Sequence, residues 1–195
     1  MSDLARATGV GEMDSLQHHF LLATPGMDGG FFSRTVTYLC DHNPDGAMGL
    51  VINRPLDVST LEIFEQLEIS VSDSMRHHNV LLGGPVQMEH GFILHQGDQS
   101  WDSSIRVADD IWISTSRDIL QAIAQCRGPE RFVIALGYAG WGPGQLEGEL
   151  ARNCWLTVPA SSDILFDSPT EQRLSQAAQQ LGIDIDLMFS GVGHA

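Results

Sequence analysis

The chain has 195 residues, 43% of them hydrophobic, and a formal charge of −15 without a single lysine. Nucleic-acid affinity rests on clustered Lys and Arg neutralising phosphate, so ten dispersed arginines against 25 acidic residues exclude direct, unaided nucleic-acid binding and docking on an anionic membrane. No apolar stretch approaches the roughly 20 residues of a membrane span, and Cys40, Cys126 and Cys154, far apart and without a CxxC, read as free thiols of a reducing cytoplasm.

Residues 1–14 have no apolar signal core and read as a flexible acidic tail, with one domain over residues 15–195. LQHHFLLAT (16–24), RTVTYLCDH (34–42) and AMGLVINRP (47–55) read as strands, the last two joined through the turn residues DHNPDG (41–46). STLEIFEQLE (59–68) predicts a helix with Ser59 and Glu62 as a capping box. Strands follow at 79–85, 91–96, 104–107 and 110–115. A helix is predicted from Thr115 to Cys126, opened by the Ser/Thr hydroxyls of residues 114–116 and ended by Arg127-Gly128-Pro129. RFVIALGYAG (131–140) is the most apolar strand and is placed at the centre of a sheet. A helix from Pro143 to about Asn153, the strand CWLTVP (154–159) and a helix opening with Ser168-Pro169-Thr170-Glu171 complete the pattern. Strands and helices do not alternate strictly, and several strands join through short turns. The fold class is therefore α+β with a mixed sheet.

LGYAGWGPGQLEGEL (136–150) has the strand, glycine loop and helix of a phosphate cradle, but lacks its chemistry. Pro143 at the first helical position has no N–H, Gln145 reaches back to the cap, Glu147 and Glu149 repel an anion, and no lysine is available. Gly137, Gly140, Gly142, Pro143 and Gln145 are read as a packing turn, in which Gly140→Val should damage folding.

FLLATPGMD (20–28), TVTYLCDHNPDGAMGLVINRP (35–55), GGPVQMEHGFILH (83–95), STSRDIL (114–120) and LGYAGWGPGQLEGELARNCWL (136–156) follow in an order that resembles the AlgH/YqgE family of bacterial proteins. The ending GHA (193–195) fits as well. Gly29-Gly30 and His90 depart from the common pattern, Asp-Pro being frequent at the first and arginine at the second. The resemblance implies a bifurcated sheet, part of which closes into a small barrel, flanked by helices, in a cytosolic protein. It implies no agreed reaction, catalytic residues or cofactor; the family name comes from a proposed regulatory role in exopolysaccharide gene expression.

The residues offer little local chemistry. His18-His19, Asp41-His42 and His77-His78 are adjacent pairs; the first two lie on strands, where neighbours point to opposite faces, so no metal is expected. A site joining His42, His95 and a carboxylate would need three-dimensional assembly. Cys40 lies two residues from His42 without the geometry that activates a thiol, and Cys154 beside Trp155 reads as a buried inert thiol. Asn53, Arg54, Tyr138 and Trp141, with His42, form a candidate binding site for a small molecule or a protein partner. The competing reading is that Asn53 and Arg54 hold loop carbonyls while the aromatics cap the core. The expected function is non-enzymatic binding or regulation through a partner, with an indirect effect on transcription and no cofactor. The alternative is an enzyme with a pocket at these same residues.

Overall fold

The computed structural model describes residues 15–97 and 101–190; the expected amino-terminal tail and the final GHA lie outside them. Ten strands form one branched sheet: β1 (His19–Ala23), β2 (Val36–Asn43), β3 (Gly46–Val51), β4 (Pro55–Ser59), β5 (Asn79–Leu82), β6 (Val86–Gln96), β7 (Ser104–Arg106), β8 (Ile111–Ser114), β9 (Phe132–Trp141) and β10 (Trp155–Pro159). Six helices flank it: α1 (Thr60–Gln66), α2 (Arg117–Ala124), α3 (Gln145–Ala151), α4 (Ser162–Phe166), α5 (Arg173–Gln179) and α6 (Ile185–Ser190). The class is α+β. No helix among the described residues is long and apolar enough to cross a membrane.

The strand order is β10-β1-β2-β3-β9-β6-β8-β7, with β4 and β5 branching off β9. β9 is the junction. Its second half pairs antiparallel with β3 at Ala139–Trp141, its first half pairs parallel with β5 at Ala135 and Leu136, and β6 runs antiparallel along it. The sheet is therefore mixed and branched. The described strand path is open from β10 to β7: the sheet curls, and no pairing among the described residues closes part of it into the expected small barrel.

Alternation along the strands sorts side chains into three cores. Phe20, Tyr38, Leu94 and Val133 face one core, covered by Ile164, Leu174 and Ile185 of the last three helices. The alternate residues Ile93 and Ile134 meet Phe64 of α1 and Ile119 of α2. Leu21, Leu39, Ala139 and Trp141 meet Leu146 of α3. The sheet is thus covered on both faces, which accounts for the nearly unbroken apolar run of β9.

Where β9 changes partners, the backbones cross closely. Gly137 is left-handed, with φ +72°, and a Cβ there would lie 2.4 Å from the Gly84 carbonyl oxygen. A Cβ on Gly84 would lie 1.9 Å from the Tyr138 carbonyl carbon.

Several boundaries move. The single strand expected over 47–55 divides into β3 and β4, and Asn53 between them turns its amide onto the backbone of Arg34 and Val36. The helix expected at residue 168 is first a 3-10 turn over Thr170–Gln172 and becomes α-helical only at Arg173. Ser168 makes no cap; its hydroxyl donates to Gln176 Oε1. Ser114 does not open α2: it ends β8, while Ser116 stands at the cap and bonds Asp118. The Ser59–Glu62 capping box on α1 is present with both reciprocal hydrogen bonds.

Candidate functional site

The glycine stretch is the natural starting point, because it joins the junction strand to α3. Gly142 O accepts from Gln145 N at 3.0 Å across Pro143 and Gly144, and Gly144 has φ 73° and ψ −2°. These are the features of a type II turn, with proline second and a left-handed glycine third. α3 therefore starts at Gln145, two residues later than the sequence suggests. Gln145 still reaches back, its Oε1 accepting the Gly142 N–H at 3.1 Å. Gly140 differs from expectation. Its φ is not left-handed, and a Cβ would meet only the Tyr138 ring, at 3.1 Å. The requirement for glycine sits at Gly137 and Gly84 instead.

Beyond the turn, α3 aims two carboxylates at the sheet. Glu147 Oε1 lies 2.9 Å from His42 Nε2, and His42 Nδ1 accepts the Leu16 N–H at 2.8 Å. Accepting at Nδ1 leaves the proton on Nε2, which donates to Glu147. That hydrogen bond holds the Glu147 carboxyl below the ordinary carboxylate range. Both imidazole nitrogens are occupied, and Ser15 Oγ adds a bond to the His42 carbonyl at 2.8 Å. His42 is a clip that ties both α3 and the approach to β1 onto β2. Glu149 Oε2 accepts two indole N–H groups, from Trp141 and Trp155, each at 2.8 Å. Gln145 Nε2 donates to its other oxygen at 3.1 Å. No signal in the sequence marks Glu149 as this hub, since its partners come from two strands separated by the helix itself.

The remaining candidate residues do not converge on a cavity. Asn53 Oδ1 accepts the Val36 N–H and Asn53 Nδ2 donates to Arg34 O, both at 2.9 Å. Arg54 Nη2 donates to Ser33 O at 2.9 Å, with its guanidinium 5.1 Å from the centre of the Phe31 ring. Phe31 packs edge-on against Phe32, and Phe32 stacks near Trp141 with centroids 6.2 Å apart. Arg54 and Trp141 are thus ends of an aromatic row. Tyr138 faces the other way and packs on Phe92, 5.5 Å between centroids.

The histidines and thiols are likewise dispersed. His95, 1% exposed, has Nε2 3.0 Å from Ser114 Oγ, which in turn lies 2.6 Å from Ser104 Oγ. It is far from the His42 clip in the strand order, and the described residues hold no group of three or more metal-ligating side chains. Cys40 is buried, and burial, reinforced by the charge of Asp41, pushes its thiol well above the ordinary range. Burial pulls the His95 pKa down to about 4. The unfolded chain takes up this proton near pH 6.5. Between those values the unfolded state binds more protons, so stability present above pH 6.5 is lost as pH falls toward 4, by up to about 3 kcal/mol from this group. His95 is expected to stay neutral at pH 5 in an NMR titration of its ring protons; a midpoint near 6.5 would refute the assignment.

Cavities among the described residues lie elsewhere. One, of about 460 Å³, is floored by Ile63, Leu67, Ile93, Leu120, Ile134 and Leu136, with Glu89, His90 and Arg117 at its rim. It opens beside the stretch of β6 between Val86 and Gly91, where pairing with β9 is interrupted. The second, of about 350 Å³, is polar and includes the buried Arg173. The third, of about 390 Å³, is bordered by His95, Trp101 and Arg131. Sequence reasoning missed Arg173, although its place four residues before Ala177 sets it on the apolar side of α5.

Comparison with known proteins places this arrangement. The chain is 50% identical over 186 residues to a UPF0301 protein of Saccharophagus degradans, covering 95% of this chain and 92% of that one. It is 51% identical over 185 residues to a UPF0301 protein of Chromohalobacter salexigens, covering 94% and 100%. The solution structure of AlgH from Pseudomonas aeruginosa superposes with a TM-score of 0.78 at 46% identity, over the full length of both chains. A protein of Corynebacterium diphtheriae, DIP2367, shares the fold with a TM-score of 0.70 at 18% identity, covering 88% of this chain and 90% of that one. The family described as "DUF179: AlgH-like" matches residues 20–186, and the chain belongs to it.

Proposed function

We propose that the protein is a non-enzymatic binding protein that takes an amphipathic small molecule or partner segment into the cavity between α1, α2 and β6. The carrying observation is the cavity itself. About 460 Å³ with an apolar floor and a few charged groups at the rim matches a small-molecule site. Arg117 donates to the Leu67 carbonyl, which orients its guanidinium at that rim. The groups an enzyme would need are engaged elsewhere. His42 has no free nitrogen, Cys40 is buried as a thiol, and Ser114, beside His95, is fully buried. The enzymatic reading would use the His42–Glu147 pair, and the occupied imidazole speaks against it. Any regulatory effect on transcription then runs through a partner, in keeping with the net charge of −15.

Gly91 lines this cavity, and a Cβ there would meet nothing within 4 Å. Gly91→Phe is therefore expected to fill the mouth without moving the unfolding midpoint. Anilinonaphthalene sulfonate, an apolar ring system with one anionic group, should bind the parent saturably and the variant at least tenfold more weakly. Equal affinity in both would remove the cavity from consideration. A parallel titration of labelled duplex at low salt should show no association; tight, salt-sensitive binding would overturn the indirect role. Turnover of a small molecule retained from native lysate would restore the enzyme.

A further inference from the structure

Arg173 is 5% exposed and has no carboxylate within ion-pair distance among the described residues. Its Nε donates to Ser168 O at 3.1 Å and its Nη1 to Ile52 O at 2.7 Å. Nη2 has no acceptor among the described residues. A buried charge held only by carbonyl dipoles is costly, and it is normally paired. This guanidinium lines the polar cavity between α5 and the start of β5, together with His78, Asn79, Ser168 and Thr170. The exposed Asn79 amide and His78 imidazole, at the mouth of the cavity, make no side-chain hydrogen bond to the described residues. Glu171 also borders the cavity; its exposed carboxylate accepts from the Thr170 hydroxyl at 3.3 Å and its charge reaches Arg173, though outside ion-pair distance.

We infer that this cavity binds a tetrahedral oxyanion, either free phosphate or the phosphoryl group of a monoester, with Arg173 as its cation, Asn79 and His78 as neighbouring donors, and the Thr170 hydroxyl turned to the anion from Glu171. The cavity holds about 350 Å³, room for a phosphomonoester and several waters. Several donor groups around one cation suit an anion with many acceptor oxygens. This site shares only Ile134 with the lining of the apolar cavity and stands or falls separately from it.

The test is an amide-resolved NMR titration of the full chain with inorganic phosphate and, separately, glycerol phosphate, at ionic strength matched with chloride. Saturable shifts centred on Asn79, Ser168, Thr170 and Arg173 are expected, and the tighter probe identifies the source. Shifts that stay linear or scatter over the surface with both probes would overturn the site. Arg173→Met should abolish the response, but loss of its two carbonyl bonds also threatens the fold. Thr170→Asp avoids that problem by setting a carboxylate in the cavity. It should keep the fold and weaken phosphate at least tenfold, while Thr170→Asn retains binding. Undiminished phosphate affinity in folded Thr170→Asp would refute the proposal.

Discussion

Trp141→Ala is expected to lower the unfolding free energy by roughly 3–5 kcal/mol, the usual range for emptying a buried large aromatic. The ring is 6% exposed and closes the core beneath α3. It stacks near Phe32 and meets Trp155 edge-on, with centroids 6.0 Å apart. Its truncation also takes one of two indole donors from Glu149. Neither Phe32 nor Trp155 can collapse into the space without giving up its own contacts, so relaxation recovers little. Trp141→Phe should cost less, because most of the ring volume stays and the main loss is one charge-assisted hydrogen bond, about 1.5–3 kcal/mol. Chemical denaturation of the two variants separates volume from hydrogen bonding. A near-parental midpoint for Trp141→Ala would mean the ring serves a partner instead of the core.

Gly84→Ala should be worse, and should yield little folded protein. The new methyl would stand 1.9 Å from the Tyr138 carbonyl carbon and 2.3 Å from the Ala139 nitrogen, and both are backbone atoms of the junction strand. A clash with backbone is not relieved by a rotamer change, so β6 and β9 would have to separate where the sheet branches. Gly140→Ala provides the contrast. Its methyl meets only the edge of the Tyr138 ring, which can shift, so a change within about 1 kcal/mol is expected. Soluble yield and circular dichroism of the pair suffice. Folded, cooperative Gly84→Ala would show that the two backbones can part at the crossing without loss of the sheet.

The strands were legible because burial on one or both faces leaves a strong pattern. β1 and β2 lie between other strands and read as apolar runs, and the capping box of α1 was visible in Ser59 and Glu62 alone. Helix starts at proline were not. Pro143 and Pro169 each have a φ that suits a first helical turn and a tight turn equally. Gly144 decides the first case, because its left-handed φ is incompatible with helix continuation. The 3-10 turn over Thr170–Gln172 decides the second. Candidate residues fared according to how local their partners were. Asn53 and Arg54 bind carbonyls of residues about twenty positions earlier, so their role as ties was conceivable from type but not from position. His42 and Glu147 are 105 residues apart, and no spacing could have joined them.

The branched junction also sets an order of events. β9 is synthesised after most of the sheet, yet β3, β5 and β6 each wait for it on one edge, having β2, β4 and β8 on the other. β1 likewise waits for β10 on one of its edges. Until the ribosome has released residues 132–159, the emerging chain presents several apolar strands with open edges, which are templates for association with other chains. Pairings of such long sequence separation also close slowly. The same residue order that gives the finished sheet one shared spine therefore leaves the growing chain dependent on a spine that arrives late.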